Sequence, residues 1–413
     1  MSNVKILPFP FRGRKIKELR SLYFAAQTAG WELVKDAQSV DHLLVHMGVL
    51  SSGDILHIIG LRPFGYAMAE EPGVFGAISV ALTHAKEAGI KIVWTLHHVL
   101  TPDSEFPEQD LAIHQVLADF ADVIVVPHSE TLRAIGGLYN IDPEKLFLIP
   151  SASYLGLYTD DETDAAVREV VAIPAENRVI GLINNYGTLS EITTFVNALK
   201  LLEESHPNYQ GLVRCDFTQG EVDEEAEIAD APSETLGAAE ELVTAIPTAI
   251  VRFGQLPRHR MAAWYRACDL VVFPEYRDMD PYPLLMAATF GRRVLIPAGS
   301  TLARVFAGEE WVATFEPAGP GEDESAALAA GIASTLGGDS GFDRAAWRFA
   351  RQQTPFAMSR AYAKLFAQLA AQANGSADSV GSSAVSVGGS VAPLGGSAAD
   401  SILQEPNEIA VGV

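Results

Sequence analysis

Apolar residues along this chain gather into short, β-branched runs separated by stretches with a helical period. Strand-like runs lie at 4–9 (VKILPF), 31–34 (WELV), 54–60 (DILHIIG), 91–98 (KIVWTLHH), 123–127 (VIVVP) and 145–150 (KLFLIP). A second series follows at 177–184 (NRVIGLIN), 211–217 (GLVRCDF), 249–253, 270–274, 294–296 and 311–317 (WVATFEP). Such runs suit strands buried on both faces. Between them, apolar positions recur three and four apart: Ile16, Leu19, Tyr23 and Ala26 before Gly30; Ile113, Val116, Leu117 and Phe120; Ile192, Phe195, Val196 and Leu199; Met261, Trp264, Tyr265 and Cys268. Further helices are expected over 73–88, from about Ser129, and in a small-residue stretch closing near Gly291. Thr188 and Glu191 have the spacing of a capping box. Strands alternating with helices predict an α/β protein of parallel sheets covered on both faces.

The alternation breaks at 158–176 (YTDDETDAAVREVVAIPAE), which is polar and proline-containing and reads as a linker. It divides an N-terminal domain, 1–157, from a C-terminal domain, 177–342, followed by helices over 343–372. With 413 residues the chain is long enough for two domains with ample cores. The acidic segment 220–235 reads as a solvated loop. From 373 to 413 the Ala/Gly/Ser/Val-rich composition cannot bury a core and is expected to be disordered.

A formal charge of −23 argues against nucleic acid as a partner, since that requires clustered Lys and Arg. No apolar run approaches the roughly 18 residues of a membrane span, and MSNVKILPFPF lacks a secretory signal's apolar region and cleavage site. The two cysteines, Cys215 and Cys268, fall in a strand and a helix pattern, as buried thiols in a reducing cytoplasm would. Positive charge concentrates in KILPFPFRGRKIKELR, where Phe9, Phe11, Arg12 and Arg14 form a candidate contact with an anionic membrane surface at the inner face. The sequence contains no G-x-x-x-x-G-K-S/T, G-x-S-x-G, H-E-x-x-H or C-x-x-C, and no glycine-rich dinucleotide fingerprint at a strand–helix turn.

The stretch 249–298 reads strand, helix, strand, acidic loop, helix, strand: half of a doubly wound sheet with its ligand-facing loop in the middle. Within it, YRACDLVVFPEYRDMDPYPLLMAATFGRRVLIPA resembles the nucleotide-sugar-binding segment of retaining GT-B glycosyltransferases, the large glycosyltransferase family 4 and its bacterial exopolysaccharide-type members. Tyr265, Asp269, Pro274, Pro283, Leu284, Leu285, Ala287 and Gly291 fall in register, and the family's two glutamates fall on Asp278 and Met286. GLINNYGT (181–188) resembles the family's G-L-I-R-P-Y-K-G, with Asn184 at the arginine and Gly187 at the lysine. TLHHVLTPD (95–103) resembles T-V-H-N-x-x-P-H-E, with His97 on the histidine and His98 on the asparagine. VVPHSE (125–130) resembles V-x-H-S, where His128 and Ser129 read as helix caps. IPSASYLGLY (149–158) resembles I-P-H-G-N-Y-x-x-x-Y, with Ser151 and Ser153 replacing the histidine and asparagine and both tyrosines kept.

The resemblance implies a GT-B fold, two Rossmann-like doubly wound domains facing across a cleft, with the last helix crossing back to the first domain. It implies retaining, metal-free sugar transfer from a nucleotide-diphosphate sugar to a glycan or lipid-linked acceptor, with no cofactor beyond the donor. Asp278 would contact the transferred sugar, and His97 or His98 would line the acceptor side. Asn184, Asn185, Gly254, Arg277, Asp280, Tyr282, Pro283, Leu284 and Met286 would form the donor site, with the helix N-terminus after Pro281 on the phosphates. Asp278 and Asp280 read as a sugar contact and a helix cap instead of a metal pair. Both phosphate-binding cations of the family are replaced; Arg277, Arg252, Arg258 and Arg12 are the candidates to substitute for them. Those losses also fit an alternative, a catalytically silent homologue acting as a binding or scaffold partner in glycan assembly. A sugar-nucleotide epimerase finds no acid/base carboxylate pair to support it.

Overall fold

The computed structural model describes residues 4–373 apart from 12–19, 35–36, 38, 62–63, 65–66, 69–70, 72, 101–105, 159–163, 171–172, 185–188, 216–249, 254–260, 275–280, 320–321 and 338–341. The chain forms two units. One holds the residues up to Ser151 together with the helix that starts at Pro355; the other holds Ala152–Arg277 and Pro281–Thr354.

The first unit runs β1 (Lys5–Phe9), α1 (Phe24–Thr28), β2 (Glu32–Leu33), α2 (Val40–Met47), β3 (Ile55–Ile58), α3 (Gly73–Glu87), β4 (Lys91–Thr95), α4 (Pro107–Phe120), β5 (Val123–Val126), α5 (Thr131–Ile135) and β6 (Leu146–Leu148). Its strands pair in parallel in the order β2-β1-β3-β4-β5-β6. Alternation along each strand divides the side chains between two cores. Leu7, Leu56, Ile92, Trp94 and Ile124 pack under α2, α3 and α4, while Ile6, Ile55, Val93 and Val125 turn to the other face. Both faces are covered, as a parallel sheet requires.

The second unit contains α6 (Asp164–Val170), β7 (Arg178–Asn184), α7 (Leu189–Leu202), β8 (Tyr209–Cys215), β9 (Ile250–Phe253), α8 (Met261–Ala267), β10 (Leu270–Val272), α9 (Tyr282–Thr289), β11 (Arg293–Pro297), α10 (Thr301–Val305), β12 (Val312–Phe315), α11 (Glu324–Leu336) and α12 (Arg344–Gln352). Its sheet is again all parallel, in the order β12-β11-β10-β7-β8-β9. Val179, Ile183, Val271 and Val294 face one core, Ile180, Leu182, Val272 and Leu295 the other. β7 carries glycine at 181 beneath Cys268: a methyl group there would run into the Cys268 thiol.

The last helix, α13 (Pro355–Ala373), lies in the first unit, against the face left open by α2, α3 and α4. Tyr362, Leu365, Phe366 and Leu369 are its buried stripe. Ser359 accepts the Ala25 N–H at 2.8 Å, and the Tyr23 and Phe366 rings stack 6.3 Å apart.

Residues 164–170, inside the stretch read as linker, add a helix that the sequence reading did not contain, with Val167 buried in the second unit's core and Arg168 paired to a buried carboxylate. That carboxylate belongs to Asp269, whose Oδ2 accepts from Arg168 Nη2 and from the Val179 N–H, both at 2.7 Å. One carboxylate thus ties α6, the end of α8 and the start of β7 together. The aromatic N-terminal patch is revised: Phe9 and Phe11 are buried in the first unit's cores and are not available to a membrane surface. Arg12 and Arg14 lie outside the described residues, as do Ile16, Leu19, the Thr188 half of the capping box, the 220–235 loop and the tail after 373.

Replacing Asp269 by Ala removes the counter-charge of Arg168, whose Nε and Nη1 keep the Ala267 and Asn177 carbonyls, and leaves the Val179 N–H without its acceptor. A loss of about 3 kcal/mol is expected, the scale of breaking one side of a buried ion pair. It is read from the urea midpoint at unchanged slope.

Candidate functional site

In an open parallel sheet, ligands bind beyond the carboxyl ends of the strands, where the strand order reverses. In the second unit the chain leaves β7 toward β8 and β9, then returns to lay β10, β11 and β12 on the other side. The reversal falls between β7 and β10, whose paired residues include Ile180 with Leu270 and Gly181 with Val271. The loops leaving these two strands begin at Asn184 and Phe273. They are the loops in which the sequence places the donor site.

The described parts of that edge are well defined. Asn184 ends β7 opposite Cys215. Beyond β10, Phe273 is fully buried, its N–H donating to the Leu295 carbonyl at 3.0 Å. Arg277, Asp278 and Asp280, with Asn185 and Gly254, lie outside the described residues. Tyr282 and Pro283, both half-buried, open α9 with Pro281 as N-cap. Leu284 and Met286 are 0% exposed, their side chains packed in the second unit's core. This end of α9 is poorer in donors than a generic helix terminus. Pro281 and Pro283 carry no N–H, and Leu285 donates to the Pro281 carbonyl at 2.9 Å. The first turn offers at most the N–H groups of Tyr282 and Leu284.

The segment 152–158 is fastened alongside α9. The Tyr154 N–H donates to Thr289 Oγ1 at 2.9 Å, and the Thr289 hydroxyl donates to the Leu285 carbonyl at 2.7 Å. Ser153, where the resembled motif has asparagine, donates its hydroxyl to the Ala350 carbonyl at 2.7 Å and is 1% exposed. The Tyr154 ring stands edge-on to Tyr282, centroids 5.0 Å apart, and Tyr158 follows at 6.1 Å. Cys268 is buried, and burial pushes its thiol up to about 12, which makes it a packing residue and not a nucleophile.

The first unit's reversal lies between β1 and β3, with β4 the next strand along. His97 and His98 follow directly on β4, half-buried, with ring centroids 6.4 Å apart. Beneath this histidine loop lies a buried polar chain that the sequence patterns did not disclose. Tyr23 Oη and His57 Nδ1 are 2.6 Å apart, His57 Nε2 and Thr95 Oγ1 2.7 Å, and Thr95 Oγ1 and Tyr362 Oη 3.0 Å. It links α1's approach, β3, β4 and α13. A neutral imidazole has one donor and one acceptor nitrogen, so it can pass a single hydrogen-bond direction through such a chain. Burial, assisted by repulsion from His97, pulls the His57 pKa down to about 3. A second buried histidine, His114 on α4, bonds the Asp110 carbonyl at 2.6 Å through Nδ1 and also engages the His98 backbone; burial lowers its pKa too. Tyr139 donates to the Val99 carbonyl at 3.1 Å. His57 stood within an apolar run, and the Asp110–His114 pair was visible as polar residues four apart on a helix face read as apolar. The N-cap of α5 falls on Glu130, one residue beyond the His128–Ser129 pair, and Thr131 turns its hydroxyl back to the His128 carbonyl at 2.9 Å.

Among the described residues, no three His, Cys, Asp or Glu side chains are grouped to hold a metal ion, and no helix is long and apolar enough to cross a membrane.

No protein-family profile matches the chain. It is 22% identical to the D-inositol 3-phosphate glycosyltransferase of Corynebacterium aurimucosum over 331 residues, 76% of this chain and 72% of that protein. The sucrose-phosphate synthase of Thermosynechococcus elongatus superposes with a TM-score of 0.67 at 16% identity, covering 90% of this chain and 100% of that one. HepE of Anabaena, in complex with UDP and glucose, gives 0.60 at 16% identity, covering 89% and 100%. The fold is the two-sheet α/β architecture of GT-B glycosyltransferases. The homologues of this chain are glycosyltransferases of that fold.

Because His57 is neutral when folded and has a pKa near 6.5 when unfolded, the unfolded chain binds the extra proton between those values. Stability therefore rises with pH across that window, by up to about 1.4 kcal/mol per pH unit from this group. It is lost as the pH falls from about 6.5 toward about 3. A His57→Asn variant is expected to be less stable at pH 7 yet to lose less on acidification, as measured by melting temperature against pH.

Proposed function

We propose that this protein is a hexosyl-type glycosyltransferase that moves a sugar from a nucleotide-diphosphate donor to a glycan or lipid-linked acceptor, with retention and without a metal ion. The supporting observation is positional. The strand order of the second unit reverses between β7 and β10, and the sequence resembling a nucleotide-sugar site falls on the two loops that leave those strands. The neighbouring HepE structure, which holds UDP and glucose, supports a nucleotide-sugar partner.

In this reading Asp278 contacts the transferred sugar and His97 or His98 lines the acceptor side. The diphosphate needs positive charge, since departing negative charge is what the site must stabilise. An asparagine at 184 brings a hydrogen bond but no charge, and two N–H donors at α9 supply part of what is needed. Arg277, in the loop between β10 and α9, is the candidate nearest in sequence to the reversal point. Arg252 sits on β9, two strands away from β7, which is roughly 10 Å of sheet. Arg258 and Arg12 lie outside the described residues.

Calorimetric titration with UDP-, GDP- and ADP-sugars checks the reading: micromolar affinity for one of them is expected. Millimolar or no binding to all three would favour a silent homologue with a scaffolding role. Asp278→Ala is expected to keep its melting temperature and to lose at least about a hundredfold in kcat; unchanged turnover would remove Asp278 from the chemistry.

A further inference from the structure

Helix α12 has a surface that its own unit does not explain. Its inner side is ordinary: Ala346 and Ala350 are buried, and Phe349 packs on Trp311 and Phe306 with centroids 5.2 and 5.7 Å apart. Arg344, Trp347, Arg348 and Arg351 stand at i, i+3, i+4 and i+7, so they form one continuous outward stripe. All four are exposed, Trp347 by 37%. Arg351 lies over the Trp347 ring at 4.6 Å, and Phe342, 51% exposed, lies beside that ring at 6.1 Å.

Three features set this stripe apart from a solvated helix face. The helix, RAAWRFARQ, contains no carboxylate, so the guanidinium at 348 has like-charged neighbours four residues before it and three after. Arg344 places positive charge in the first turn, where the helix dipole disfavours it. Two large aromatic rings, Phe342 and Trp347, keep 51% and 37% of their surface exposed on a chain whose net charge is −23. A cluster of cations around exposed tryptophan and phenylalanine matches a surface with negative charge outside and apolar depth beneath.

We propose that the Phe342, Arg344, Trp347, Arg348 and Arg351 face of α12 docks the protein on an anionic lipid surface. The guanidinium groups meet the headgroup phosphates, and the Trp347 and Phe342 rings enter the interface below them. The chain's net charge of −23 favours encounters that present this cationic stripe to the headgroups. The proposal does not rest on the glycosyl-transfer reading and is tested without any sugar donor.

The full chain is pelleted with vesicles of phosphatidylcholine alone and with added phosphatidylglycerol. Binding to the anionic vesicles only, weakening as salt is raised, is expected. Arg344→Gln, Arg348→Gln and Arg351→Gln together should weaken it roughly a hundredfold, at about one kcal/mol per arginine, with the melting temperature of the exposed-site variant unchanged. Brominated lipid should quench part of the tryptophan emission in the wild type and none of that part in Trp347→Phe. No pelleting on anionic vesicles overturns the proposal, as does pelleting that the triple variant leaves intact. Binding to polyglutamate without binding to vesicles also overturns it, and assigns the stripe to an acidic protein.

Discussion

Parallel neighbours cannot be joined by a tight turn, so every connection in both sheets has to cross one face and return to the starting edge. That constraint shapes this molecule throughout. It demands strands apolar on both faces, which is why Leu7 and Ile6, or Leu182 and Ile183, serve different cores from adjacent positions. It gathers all strand ends at one edge and leaves a gap only where the order reverses, between β1 and β3 and between β7 and β10. At such reversals the neighbouring crossovers run to opposite faces of the sheet, which is where open α/β sheets admit ligands.

The price of double coverage is that each face needs helices enough to cover it, and the first unit is short of them. Among the described residues its local chain supplies α2, α3 and α4 to one face, and Leu22, Tyr23 and Ala26, in and just before α1, to the other. The last helix of the chain fills that place. Apolar contact gives the area, through Leu365, Phe366 and Leu369, while the Tyr23–His57–Thr95–Tyr362 chain fixes the register, because hydrogen bonds among buried hydroxyls and an imidazole tolerate little displacement. Burial raises the affinity of both phenols for their protons and lowers that of the imidazole. All three stay neutral, which is the form a dry interior favours. Thr95 is two residues before His97, so the end of β4 and the histidine loop inherit their position from a helix some 260 residues further along, Thr95 and Tyr362 being 267 residues apart.

Periodicity disclosed the strands of both sheets because apolar runs bounded by polar turns have few other solutions, and the alternation of elements pointed to the two-sheet fold. Edges were less legible. β4 stops at Thr95, not at His98, since the pairing with β5 ends there and the histidines leave the sheet. The α6 helix was not legible because its composition is polar and its apolar positions are few; Val167 and the Arg168–Asp269 pair hold it to the second unit's core. The buried histidines escaped for a related reason. A single polar residue within an apolar run looks like noise until its partners, drawn from Tyr23, Thr95 and Tyr362, are brought together by the fold.

The family resemblance itself can be sorted by what its residues do. Tyr265, Leu284, Leu285 and Ala287 are buried packing residues, Asp269 ties backbone to a neighbouring helix, and Gly291 holds φ at 63° under the Phe342 ring, where a Cβ would sit 2.5 Å from that ring. These positions keep a strand, a turn and a helix in register, and any protein needing that geometry would select similar residues. They therefore argue for architecture. The positions that would speak for chemistry include an aspartate in place of glutamate at 278, a methionine in place of glutamate at 286, an asparagine at 184, a glycine at 187 and two histidines after β4. The first four differ from the resembled pattern toward less charge or shorter reach. Scaffold and chemistry have thus separated in this chain, and the scaffold's agreement with glycosyltransferases cannot be counted again as support for turnover. Affinity for an activated sugar, and the fate of that sugar, are independent quantities here.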